Sequence, residues 1–374
     1  MMGNFACVEG AILAGCRFYA GYPITPSSEI FERASVRLPQ VGGNAIEMED
    51  EVGSMAALVG ASFGGSKVMT ATSGPGFSLM MENIGLAYIM EAPCVVVNVQ
   101  RAGPSTGIPT LVGQGDMMQA KWGSHGDLEI IAYSPNSVQE FFDFTIQAFN
   151  MAEKFRTPVF VMADQVVGMM WERLRVPPAE EIEVVERQVM EPATTTRNSE
   201  HPLFDYEKDF LPMPVAGNGS RVNIDSLTHD SWGYPSTDHS VSEVLTRHLA
   251  GKVKDHAKEI WRWEEHYLDD AEVAVVSYGS ASRSALAAVK MIRAKGIKAG
   301  LLRLQTPWPF PDEVVEKLSR NVSGLVVAEI NYGQMIHPVR ENSRCPVVGA
   351  SWAPGTLIEP SVIVDAMQAV VVAS

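Results

Sequence analysis

Cysteine and positive charge are what this 374-residue sequence has least of. Its four cysteines, Cys7, Cys16, Cys94 and Cys345, lie far apart and form neither a CxxC pair nor a Cys/His cluster. Zinc and iron–sulfur sites built from local ligands are thereby excluded, and so few thiols suit a reducing cytoplasm. Lysine and arginine total 29 against 44 aspartates and glutamates, for a net charge of −15. That balance argues against a nucleic-acid partner, whose phosphates require clustered cations. Long hydrophobic runs are missing as well. Stretches such as Cys94 to Val97 are far too short to cross a bilayer, so no membrane is expected. The start, Met1-Met2-Gly3-Asn4, lacks the basic flank of a secretory signal.

What remains is enough for a large core. With 46% hydrophobic and 20% charged residues the chain reads as soluble and globular, and its length favours two domains. Asn4 is expected to cap a helix reaching Ala14, followed by a strand from Cys16 to Ala20 and the loop Gly21 to Pro26. The alternation continues with a helix from Glu47, a strand Lys67 to Thr72, a helix Phe77 to Met90 and a strand Cys94 to Gln100. A helix near Val138 to Lys154 and an apolar strand Pro158 to Ala163 follow. Alternating helices and continuous apolar strands predict an α/β fold, a parallel sheet with helices on both faces, over 1–175. Residues 176–270 break the pattern with Pro177-Pro178, Pro212 to Pro214 and a charged helical stretch, and read as a partly structured linker. Over 271–374 the alternation resumes as a smaller α/β domain.

Chemistry is concentrated at strand ends. On a helix starting at Glu47, Met48, Val52, Met55 and Val59 fall on one stripe, and Glu51 lies beside it among small residues. A carboxyl half-buried there would have its pKa raised, which suits proton exchange with a ring nitrogen. Glu47, Glu49 and Asp50 read merely as complements to the helix dipole. The turn Thr72-Ser73-Gly74-Pro75-Gly76 matches neither GxGxxG nor GxxxxGK[ST], and its glycines and proline account for the turn itself. Gly279 to Ser282 opens a helix and could take an anion, without a specific spacing. Arg101 ends an apolar strand before Ala102-Gly103-Pro104-Ser105-Thr106-Gly107, where open sheets place ligands, and can clamp a carboxylate bidentately. The loop Lys121 to Asp127 reads equally as a gate or a structured turn.

These motifs together resemble the subunit that carries the pyrimidine-binding domain in the 2-oxoacid:ferredoxin oxidoreductases, most closely the 2-oxoglutarate-specific alpha subunits. The matching pieces are Tyr22 to Ser27, Met48 to Glu51, Thr70 to Leu79, Arg101 to Gly107 and Trp122 to Asp127. The likeness runs into the second domain, which looks like the transketolase C-terminal type. It implies a thiamine diphosphate site, with Glu51 on the aminopyrimidine nitrogen and Tyr22, Pro23, Ile24, Thr25, Ser73 and Gly74 around the cofactor. Thr25 and Arg101 are implied to contact the 2-oxoacid carboxylate. The implied reaction is oxidative decarboxylation of 2-oxoglutarate with coenzyme A, electrons passing to ferredoxin; branched-chain 2-oxoacids or pyruvate are the alternatives. For the distal carboxylate of 2-oxoglutarate, Lys121 or His125 is expected to serve, the alternative being a basic residue of a partner.

Half of that machinery is absent from the sequence: no GDG with a downstream Asn for the diphosphate and its metal, and no cluster cysteines. The resemblance therefore implies a beta subunit carrying magnesium and iron–sulfur clusters, with gamma and delta subunits as further candidates. Two readings of other classes compete. A nicotinamide enzyme lacks its glycine fingerprint here, and a noncatalytic scaffold would tolerate substitution of Glu51.

Overall fold

The computed structural model describes residues 1–192, 194 and 202–373. Helix α1 (Gly3–Leu13) leads into strand β1 (Cys16–Gly21), followed by α2 (Ser28–Arg37), β2 (Asn44–Glu47), α3 (Glu51–Phe63), β3 (Lys67–Thr72), α4 (Pro75–Ile89) and β4 (Cys94–Ala102). A short strand β5 (Ile108–Val112) turns back antiparallel along β4. Then come α5 (Met117–Trp122), β6 (Ile131–Tyr133), α6 (Val138–Phe155), β7 (Pro158–Asp164) and α7 (Gln165–Met169). The order across the sheet is β2-β1-β3-β4-β7-β6, parallel throughout apart from β5. Every residue of β3, β4 and β7 is buried, because helices cover both faces.

The second unit begins earlier than residue 271. Helices α8 (His239–Lys254) and α9 (Ala257–Ile260) precede β8 (Trp263–His266), which pairs antiparallel with a later strand. The unit continues with β9 (Val273–Tyr278), α10 (Ala281–Arg293), β10 (Ala299–Leu304), α11 (Asp312–Ser319), β11 (Gly324–Glu329), α12 (Ile336–Glu341), β12 (Val347–Ser351) and α13 (Pro360–Ala373). Its sheet runs β12-β11-β9-β10-β8. Residues 263–266, expected in the linker, thus form its edge strand. Residues 193 and 195–201 of that linker lie outside the described residues.

Two local expectations are corrected. Asn4 does not cap α1. The helix starts at Gly3, and Asn4 is fully buried with its amide donating to the Pro26 carbonyl at 2.8 Å and to Glu29 at 2.9 Å. Glu47 does not open a helix either: Asn44–Glu47 pairs with β1 as a strand, and α3 starts at Glu51. Tertiary pairing outweighed local propensity in both places.

The charged helix α8 docks through a buried ion cluster. Glu91 accepts from His248 at 2.9 Å and Lys252 at 2.5 Å, with Arg156 at 3.9 Å, all four side chains being buried. Opposed charges hold the Glu91 carboxyl well below its usual range despite its burial. The two domains share one apolar core in which Phe77, Met80 and Met117 of the first pack with Tyr278, Leu302 and Trp308 of the second. Gln114 reinforces the joint. Its side chain donates to Asp164 at 3.1 Å and to the Tyr278 carbonyl at 3.3 Å, and accepts from the Ile330 N–H at 3.1 Å.

Candidate functional site

The carboxyl ends of β2, β1, β3 and β4 lie side by side, and each runs into one of the marked motifs. After β1, the loop Tyr22–Pro26 is held from below. Arg101 Nη1 donates to the Thr25 carbonyl at 2.8 Å, next to the Asn4 bond to Pro26, and Ser27 Oγ donates to the Ile24 carbonyl at 2.8 Å. With its carbonyls fixed, the loop leaves the Tyr22 and Thr25 side chains exposed.

Glu51 is the first residue of α3, beside the N-cap Asp50, whose carboxylate accepts from the Gly53 N–H at 2.7 Å. Glu51, Met55, Leu58 and Ser62 recur at helical spacing and are all buried, so Glu51 sits on the inward face itself. Val52, expected on that face, is exposed. Opposite lies Gly76. A Cβ there would stand 2.2 Å from Glu51 Oε1 and 2.1 Å from Thr72 Oγ1. Burial pushes the Glu51 carboxyl above its ordinary range and the Asp50 charge adds to this, while a bond from its own backbone N–H and the Arg101 charge oppose it.

Arg101 lies on β4 at 6% exposure, and its Nε has no hydrogen-bond partner. Burial works against its charge, which Asp116 and then Glu51 support. Thr72 Oγ1 and Ser73 Oγ are likewise buried without partners, beside Gly74, which begins α4 at φ 37°. Buried polar atoms left unpaired so close together point to a polar ligand. Asp116 completes the group and was not singled out by sequence. Its carboxylate accepts from Asn98 Nδ2 at 2.9 Å and from the Gly74 N–H, and its own N–H donates to Gln100 Oε1 at 3.1 Å. A lone Asp in a glycine-rich turn carries no distinguishing spacing, so only the fold reveals it.

Lys121 and His125 have other work. Buried Lys121 donates to the Leu128 carbonyl at 2.5 Å and pairs with Glu129 at 2.7 Å, which pins the loop rather than leaving a free cation. His125 is exposed in a separate groove with Glu82, Tyr88 and Leu249. The loop meets α4 at Gly85, where Ser124 Oγ would lie 2.6 Å from a Cβ. Gly85 is ten residues along from Pro75, about 15 Å at the helical rise. The expectation that either residue receives a second carboxylate beside Arg101 is therefore not met by this geometry. The helix start at Ser280 is also occupied internally, its N–H donating to the Asp164 carboxylate at 3.0 Å.

The donor set fits the aminopyrimidine end of thiamine diphosphate: a carboxyl that tends to keep its proton, unpaired hydroxyls, and glycine where a side chain would intrude. Among the described residues no group of three or more His, Cys, Asp or Glu could hold a metal ion, and no helix is long and apolar enough to cross a membrane.

Family models decide the relationship. The thiamine diphosphate-binding domain of pyruvate flavodoxin/ferredoxin oxidoreductases matches residues 9–247, and core domain II of pyruvate:ferredoxin oxidoreductase matches 271–351. The chain belongs to the 2-oxoacid:ferredoxin oxidoreductase family. It is 52% identical over 339 residues to 2-oxoglutarate synthase subunit KorA of Methanocaldococcus jannaschii, covering 91% of this chain and 90% of the relative. Against the KorA subunit of Archaeoglobus fulgidus the identity is 42% over 98% of both chains. Ketoisovalerate oxidoreductase subunit VorB of Methanothermobacter marburgensis is 38% identical, covering 92% and 89%. Among solved structures, 2-oxoglutarate:ferredoxin oxidoreductase from Magnetococcus marinus, with 2-oxoglutarate, coenzyme A and succinyl-CoA bound, superposes with a TM-score of 0.90 at 30% identity. The match covers 99% of this family member and 65% of that longer chain.

Proposed function

We infer that this chain is the pyrimidine-binding subunit of a 2-oxoglutarate:ferredoxin oxidoreductase. With partner subunits it converts 2-oxoglutarate and coenzyme A to succinyl-CoA and carbon dioxide, electrons leaving to ferredoxin. The observation that carries this reading is the buried Glu51 carboxyl fitted against Gly76, one strand away from an Arg101 with an unpaired Nε. The identity of 52% to a 2-oxoglutarate synthase subunit, against 38% to a ketoisovalerate one, favours 2-oxoglutarate over the branched-chain acids.

Thiamine diphosphate, when bound, supplies the carbanion chemistry that releases carbon dioxide from a 2-oxoacid. In this reading Glu51 holds a proton at the pyrimidine ring nitrogen, and its raised pKa keeps that proton exchangeable near neutrality. Ser73, Gly74 and the Tyr22–Thr25 loop enclose the ring. Arg101 directs its free Nε to the substrate carboxylate while its Nη1 keeps Thr25 in place. The partner is a beta subunit that brings the diphosphate and magnesium ligands and iron–sulfur clusters; gamma and delta subunits join it in a cytoplasmic complex.

The test is reconstitution. Coexpressed with its partners, the complex should reduce a viologen dye with 2-oxoglutarate faster than with 2-oxoisovalerate, and this chain alone should reduce none. Dye reduction by the single chain, or a preference for 2-oxoisovalerate, would overturn the assignment.

A further inference from the structure

A cavity of about 530 Å³ separates the domains, with Gly74, Arg101 and Asp116 on one wall and the Asn331–Gln334 loop and Pro354 on the other. The loop is fixed by its own polar groups. Asn331 Nδ2 donates to the Gln114 carbonyl at 2.7 Å and to Tyr278 Oη at 3.0 Å, and its Oδ1 accepts from the Gly333 and Gln334 N–H groups. The Gln334 side chain donates to the Gly115 carbonyl and accepts from the Met118 N–H at 3.0 Å. The Glu329 carboxylate accepts from the N–H groups of Gln334, Met335 and Ile336. On this rigid platform Tyr332 is held out at 81% exposure. An aromatic ring fixed in water forgoes its burial until something covers it.

We propose that the second-domain wall takes the uncharged arm of the acyl acceptor, the pantetheine portion of coenzyme A, lying over Tyr332 and Pro354 with its thiol toward Arg101. This rests on the activity inferred above. The lining selects the arm over the nucleotide. Arg101 is the one Lys or Arg among the residues around the cavity, and it faces Asp116 and Glu51, so phosphates would find no free counter-charge there. An arm of amides and methyl groups instead needs apolar contact and a few amide partners. Tyr332, Pro104 and Pro354 offer the first, and Ser78 and Gln119 the second. The nucleotide end lies outside this cavity.

The experiment titrates pantetheine and coenzyme A separately into the assembled complex by calorimetry, comparing wild type with Tyr332→Ala and Tyr332→Phe. Tyr332→Ala should weaken both ligands by roughly ten-fold, a loss of the size that truncating an anchoring aromatic produces. Tyr332→Phe should retain wild-type affinity, and KM for 2-oxoglutarate should not move. Loss confined to coenzyme A would place the ring at the nucleotide and overturn the proposal. Unchanged affinities would overturn it, as would subunits that no longer assemble, since Tyr332 would then be a subunit contact. Because the readout is binding, a complex that takes pantetheine through Tyr332 yet leaves 2-oxoglutarate unoxidised would overturn the substrate assignment and support this inference.

Discussion

Glu51 and Gly76 are fitted to each other: the carboxyl of one occupies the space that a side chain on the other would need, 2.2 Å from the position of a Cβ. Gly76→Ala should displace the carboxyl, whereas Glu51→Gln keeps its volume and removes only the exchangeable proton. Both should lower turnover of the assembled complex by roughly 10²–10⁴-fold, the usual worth of a positioned acid or base. Hydrogen–deuterium exchange at C2 of the bound cofactor reads the loss directly. An alanine variant with normal exchange would show that the pairing is incidental.

Glu51 also has a pH signature. Burial raises its pKa on folding, so its contribution to stability is complete below the ordinary value of 4.5 and is lost as pH rises through the higher folded-state value. Glu51→Gln never ionises and escapes that loss. Its melting temperature in the complex should match wild type at about pH 4 and exceed it at about pH 8. A difference that shrinks with rising pH would contradict the raised value.

Arg101 serves the Thr25 carbonyl and, in the proposed reading, the substrate at once, which a lysine's point charge cannot do with the same geometry. Arg101→Lys should reduce kcat/KM for 2-oxoglutarate by about 1.5–3 kcal/mol, roughly ten- to a hundred-fold. Equal kcat/KM in variant and wild type would remove Arg101 from the substrate.

Lys121 is spent on Leu128 and Glu129. Lys121→Met should therefore depress kcat/KM for 2-oxoglutarate and 2-oxobutyrate equally, and His125→Leu should leave both near wild type. A loss selective for 2-oxoglutarate, whose second carboxylate distinguishes it, would return the loop to the substrate site.

Lys252→Met strands the Glu91 charge in the interior and should cost about 3–5 kcal/mol of stability. Adding Glu91→Gln should recover much of it. Denaturant unfolding of the single and double variants checks this, and a double variant no better than the single would mean that packing of α8, not charge, dominates.

The strands of the first sheet were legible because burial on both faces writes itself as unbroken apolar runs, as in Cys94–Val97 and Pro158–Ala163. Glu51 could be found too, since small residues and a buried stripe surround it. Its position at the helix start was not legible, because Asn44–Glu47 becomes a strand only by pairing with β1. Short elements whose partners are distant in sequence, β5 and β8, left no periodic trace. Asp116 and Tyr332 were invisible for a similar reason. Each is an ordinary residue in an ordinary turn, and only the approach of β4 to one and of the first domain to the other sets them beside Gly74 and Arg101.

The Gln114 joint bears on how this subunit could be divided or recombined. Gln114 bonds simultaneously to Asp164, Tyr278 and Ile330, three points spread over 167 positions of sequence from Asp164 on. A chimera that took its second domain from a relative would have to reproduce the backbone at Tyr278 and Ile330 or strand a buried amide and a buried carboxylate together. The modularity that two family models suggest on paper thus stops at this glutamine, and exchange of substrate preference between relatives is better sought by loop replacement within one domain than by swapping halves.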